Sequence, residues 1–233
     1  HFRRCNMAKI ELYEKSPIRC FDEATKGGLK AGELGLITAK KGLGKTPVLV
    51  QFGMDTLLNG KQLVHVSFDQ HSSESVRSLY DNIFAEISKN KTLANASDVK
   101  DQIMKNRTIL NFNQDNVSLE KVVNTLNALK AGGIAVAGVV IDDVDFTKVK
   151  EADVQAVSSY AKATKTKVWI SSTQEKDTLE GSAPKDVLPY FSVVIHLAAK
   201  GKETLLKVLK AGKGADPEAA LKVDSKTWLL SAK

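Results

Sequence analysis

Residues 39–46 read AKKGLGKT, and each residue type in that order has a use against a phosphate. Gly42 and Gly44 let the backbone wrap around phosphate oxygens, amides at the start of a following helix donate to them, and Lys45 reaches the terminal phosphates. Thr46 offers a hydroxyl to a magnesium ion. The cradle so defined consists of Lys40, Lys41, Gly42, Leu43, Gly44, Lys45, Thr46 and Pro47. Two residues depart from the usual loop. Ala39 stands where glycine is common and is tolerated only at negative φ. Pro47 falls in the first turn of the expected helix, where the missing amide hydrogen costs little. A second segment, GVVIDDVD at 138–145, is an apolar strand that ends in acids. Adjacent carboxylates belong at the C-terminal edge of a buried strand, where ligands bind. Asp142 is therefore the candidate for the magnesium shell, with Asp143 as the alternative.

Positioning such residues needs strands that end at one edge and helices that begin there. Runs rich in branched residues alternate with amphipathic stretches, which predicts βα units and a mostly parallel sheet flanked by helices. Strands are expected at 32–39, 61–69, 107–112, 137–145 and 167–174. Helices are expected after the loop up to Gly60, from Ser72 or Ser73, over 96–105, from Ser118 to the glycine pair 132–133, and over 151–164. Beyond residue 190, FSVVIHLAAK, ETLLKVLKAG and AALKVDSKTWLLS read as strands joined by short turns, an antiparallel extension of the sheet.

The 233 residues suffice for one large α/β domain, and the expected division is an N-terminal extension at 1–15 followed by a single domain at 16–233. With 42% hydrophobic and 26% charged residues, the composition is that of an ordinary folded chain. The longest apolar run of note, IAVAGVVI at 134–141, falls far short of the roughly 20 residues that cross a bilayer. No membrane role is expected, and the reading places the chain in the cytoplasm. Residues 1–6 are basic without an apolar core behind them, and Met7 offers a natural start. Cys5 and Cys20 fit neither a redox pair nor a zinc site. The net charge of +7 permits polyanion binding, but the lysines are spread along the chain. His65, His71 and His196 share no ligand spacing and read as structural or surface residues. Trp169 and Trp228 read as core.

Together the motifs make the chain resemble the RecA-like ATPases of the KaiC, RadA and DnaB-helicase group, and most of all single-domain KaiC-type proteins. The segment SPIRCFDEATKGGLKAGELGLITAKKGLGKT at 16–46 is similar to that family's entry into the phosphate loop. The resemblance implies a RecA-like P-loop NTPase fold, ATP and Mg2+ as cofactors, weak Mg-dependent ATPase activity, and a homo-oligomer, of which a ring is one form. It further implies catalytic roles for Asp69 at the end of the second strand, for Gln174 as a phosphate sensor, and for Lys210 and Lys213 facing a neighbouring subunit's nucleotide. Departures temper this. Asp69 and Gln70 stand where KaiC-type proteins carry glutamates, and Gly212 stands where they carry an arginine after the lysine. Aspartate is one methylene shorter, and a displacement of about 1 Å can cost about a hundredfold in rate. Lys213 lacks the guanidinium fork. Two alternatives stay open: a nucleotide-binding pseudo-ATPase without turnover, and a single-stranded nucleic-acid-binding protein like a recombinase or helicase. The second is less favoured, because the segment at 175–190 mixes acids with lysines.

Overall fold

The branched runs at 34–39, 62–67, 136–141 and 167–173 lie side by side at the centre of a sheet whose outer strands come from the two ends of the series. The computed structural model describes residues 2–68, 71–89, 95–113, 118–216 and 218–232. Its helices are α1 (Phe2–Glu14), α2 (Ile18–Ala24), α3 (Lys45–Leu58), α4 (Ser73–Ser88), α5 (Ala96–Met104), α6 (Leu119–Ala131) and α7 (Glu151–Thr164). Its strands are β1 (Leu34–Ala39), β2 (Gln62–Ser67), β3 (Arg107–Asn111), β4 (Val136–Ile141), β5 (Lys167–Thr173), β6 (Phe191–Lys200), β7 (Glu203–Lys210), β8 (Leu221–Val223) and β9 (Leu230–Ala232). They form one sheet in the order β3-β2-β4-β5-β1-β6-β7-β8-β9. Pairing is parallel from β3 to β6 and antiparallel from β6 to β9. The α/β architecture with an antiparallel extension is thus the one expected.

Alternation along the central strands sends side chains to two cores. On β5, Trp169 packs on one face with Leu63, Val140, α3 and α4, while Val168 and Ile170 pack on the other with Val64, Val139, α6 and α7. Buried on both faces, these strands read as continuous apolar runs. The expected caps form: Ser72 accepts from the Ser75 N–H at 3.1 Å, Ser118 accepts from the Lys121 N–H at 3.4 Å, and Gly133 follows α6 at φ 88°.

Residues 2–14 form a helix that buries Cys5 and Leu12 against α3 and α5, so this stretch shares the main core. Both cysteines are free; the Cys5 thiol donates to Gln102 Oε1 at 2.8 Å. α2 is joined to the far end of α3 by Arg19, whose guanidinium donates to Asp55 at 2.5 Å. Burial pushes the Asp55 carboxyl up to about 6, against the pull of Arg19. A difference from expectation lies at 219–231. Rather than one strand, it forms two three-residue strands joined by a turn in which the Asp224 carboxylate accepts from the Lys226 and Thr227 N–H groups.

Candidate nucleotide site

β1 brings the chain to the C-terminal edge of the sheet and α3 carries it away, leaving 40–44 as the connecting loop. Ala39 is the last residue of β1, paired with Thr173 and Leu197. Among the described residues, positive φ outside glycine is confined to Lys26, Asp143, Lys165 and Trp228. Ala39 is not one of them, which removes the objection to a methyl group there. The left-handed positions are Gly42 at φ 89° and Gly44 at φ 97°, where any other L residue would be strained. Gly44 caps α3, and Pro47 sits in its first turn. Leu43 is half-buried and Lys40 and Lys41 are exposed, whereas Lys45 is buried at the helix start.

Thr46, on the first turn of α3, donates its hydroxyl to Asp142 Oδ2 at 2.9 Å. Asp142 follows the end of β4, and its other oxygen accepts from the Ser171 hydroxyl of β5 at 2.8 Å. Strand order explains this: β5 lies between β1 and β4, so its serine reaches the carboxylate that faces the loop. Burial raises the Asp142 pKa, and the hydroxyls of Ser171 and Thr46 and the nearby His71 oppose that rise. Asp143 has a different environment. At φ 54° it accepts from the Thr173 hydroxyl at 2.8 Å and, with Asp145, Asp153 and Gln174, lines a cleft of about 360 Å³ against α6 and α7. The two acids, indistinguishable as neighbours in sequence, thus have different surroundings, although the Asp143 N–H donates at 2.7 Å to the same Ser171 hydroxyl that holds Asp142.

The remaining candidates are distributed unevenly. Gln174 follows β5, and its N–H donates to Ala39 O at 3.0 Å, so it borders the loop's beginning. Asp69, and Gln70 beside it, lie outside the described residues. Lys210 and Lys213 are not with the others. β7 runs antiparallel to β1 and is heading away from the phosphate loop when Lys210 pairs with Val194, itself opposite Leu36. Past Lys213, the Asp216 N–H donates to Ala24 O at 3.1 Å, at the far end of the sheet. These lysines do not reach the loop of their own chain.

Two residues read as structural from sequence stand at the site instead. His71 Nε2 lies 3.5 Å from Thr46 Oγ1 and 3.8 Å from Asp142 Oδ2. The available signal was its place just past β2, at the edge where β1 and β4 also end. Trp228, at φ 65°, lays its ring over Gly44, where a Cβ would come within 2.7 Å of the indole. Its carbonyl accepts from Gln51 Nε2 at 2.6 Å. No sequence signal linked Trp228 to the loop, because the contact depends on the turn at Asp224. Trp169, by contrast, is core, stacked on Phe52 with ring centroids 4.2 Å apart.

The donor set of a hydroxyl and a carboxylate held together beside a buried lysine fits a hard divalent cation bound with phosphate. No helix among the described residues is long and apolar enough to cross a membrane. A model of the KaiC ATPase family matches residues 15–177, well over half of the chain and all of the loop, β4 and β5. No curated protein matches the chain. Sheet order, phosphate loop and family match agree, and the chain belongs to the KaiC family of RecA-like, ATP-binding ATPase domains.

Proposed function

We propose that this protein binds ATP with Mg2+ and hydrolyses it slowly as a homo-oligomer. The observation that carries the reading is the Thr46–Asp142 hydrogen bond at 2.9 Å, which sets a hydroxyl and a buried carboxylate beside Lys45 at the mouth of a left-handed glycine turn. The backbone of 40–46 surrounds the phosphates, and Lys45 places its charge on the terminal ones. Thr46 and Asp142 hold the magnesium ion, which when bound neutralises charge on the phosphates and fixes their orientation. Ser171 keeps Asp142 in place. Gln174 orients water or the γ-phosphate, its amide both donating and accepting. Asp69 polarises the attacking water. Lys210 and Lys213 act on the nucleotide of an adjacent subunit, consistent with their distance from their own loop.

The departures at Asp69, Gln70 and Gly212 favour a second reading, in which nucleotide binds without turnover. Single-turnover hydrolysis of labelled ATP decides: phosphate release that disappears in Asp69→Asn supports slow catalysis, and its absence in the wild type supports the inert form. The binding itself is tested by titration. Lys45→Ala removes a charge-assisted contact of about 1.5–3 kcal/mol, so nucleotide affinity falls about ten- to a hundredfold. Unchanged affinity would refute the phosphate-loop assignment.

A further inference from the structure

His71 closes the third side of the point where Thr46 and Asp142 meet, and it does so from a different element. Thr46 is fixed on α3 and Asp142 at the end of β4, the carboxylate almost wholly buried and tied to Ser171 at 2.8 Å. His71 immediately precedes Ser72, the cap of α4. Its Nε2 lies 3.5 Å from the hydroxyl and 3.8 Å from the carboxylate. An imidazole nitrogen, a hydroxyl and a carboxylate oxygen therefore converge, and the imidazole keeps 42% of its side-chain surface exposed, so it turns without disturbing the core.

This donor set is not the one magnesium prefers. Mg2+ selects oxygen and keeps several waters, whereas imidazole suits the first-row transition ions, whose affinity for nitrogen rises along the Irving–Williams order. Among the described residues no three His, Cys, Asp or Glu side chains gather to hold a metal unaided. The site is complete only with phosphate oxygens, so the preference is exerted on the metal–nucleotide complex. We infer that His71 is a specificity-determining residue of the cation site, drawing it from Mg2+ toward a first-row transition ion, Mn2+ being the accessible probe. The inference rests on the proposed nucleotide site and concerns which cation accompanies the nucleotide there.

The test uses the full chain with a non-hydrolysable ATP analogue, titrated with Mg2+ or Mn2+ as the only divalent ion. The wild type is expected to bind the Mn2+ complex about tenfold or more tightly than the Mg2+ complex, and His71→Ala to lose that preference. Pulsed electron paramagnetic resonance of bound Mn2+ gives an independent readout. A directly coordinated nitrogen is expected in the wild type, with a coupling that changes on 15N-histidine labelling and vanishes in His71→Ala. The labelling result needs no substitution and so stands even where a variant misfolds. Analogue binding with no histidine nitrogen on Mn2+, or a cation preference unchanged in folded His71→Ala, overturns the inference while leaving the nucleotide site intact. No analogue binding with either ion refutes the proposed function, and the inference with it.

Discussion

Asp142 and Asp143 show what one residue's place in a strand decides. The sequence marks both as acids at the end of an apolar run, and nothing in their types separates them. Separation comes from the left-handed φ at Asp143, just past the end of β4, which only a three-dimensional path reveals. Asp142 faces α3 and accepts from Thr46 and Ser171, whereas Asp143 faces the cleft by α6. Asp142→Asn is accordingly expected to abolish the gain in nucleotide affinity that Mg2+ brings, by about tenfold or more. Asp143→Asn is expected to preserve it. Because burial raises the Asp142 pKa, the neutral amide relieves the folded state of a desolvated charge, and the Asp142→Asn variant should melt at or above the wild-type temperature. Calorimetric titration with and without Mg2+, together with thermal denaturation, checks both halves. Equal losses in the two variants would remove the distinction.

The elements that position the loop were unequally legible. The phosphate-loop strand, α3, β4 and β5 could be read because turn residues, caps and uninterrupted branched runs all agree there. The C-terminal hairpin could not be. In AALKVDSKTWLLS the apolar residues run on through the turn, and the turn is made by one side chain, Asp224, accepting from the backbone two and three residues ahead. That turn sets Trp228 over Gly44. Gln51 then ties the hairpin to α3, donating to Trp228 O at 2.6 Å and accepting from the Leu230 N–H at 2.9 Å. Gln51 is fully buried, so Gln51→Ala leaves both backbone groups without their partner. The expected loss is about 2–3 kcal/mol, a fall in melting temperature of about 5–10 °C. As the same hairpin covers the loop, nucleotide affinity should fall too. A Gln51→Ala protein with wild-type melting temperature would show that the hairpin is not held this way.

At the scale of the whole molecule, the reversal of chain direction after β6 decides where Lys210 and Lys213 lie relative to the phosphate loop. Lys210 and Lys213 were legible only through resemblance to a family pattern, since a strand ending in lysines carries no mark of the edge at which it ends. The fold supplies that mark: β7 runs against β1, and Asp216 is hydrogen-bonded to Ala24 at the end of the sheet away from the phosphate loop. If these lysines serve a nucleotide, it belongs to another copy, so defects in the loop and in the lysines should complement each other. Lys45→Ala lacks a working loop but keeps the lysines, while the Lys210→Ala, Lys213→Ala double variant keeps the loop and lacks them. Each alone should hydrolyse ATP at background rate. Mixed in equal amounts and allowed to reassemble, they create at about a quarter of the interfaces a site with an intact loop facing intact lysines. ATPase activity should recover toward that fraction of the wild-type rate. The recovery should follow subunit exchange in time and vanish on dilution below the concentration at which the oligomer holds together. A mixture no more active than its parts, under conditions where exchange is verified by light scattering and labelled subunits, would mean that the lysines act on nothing across an interface.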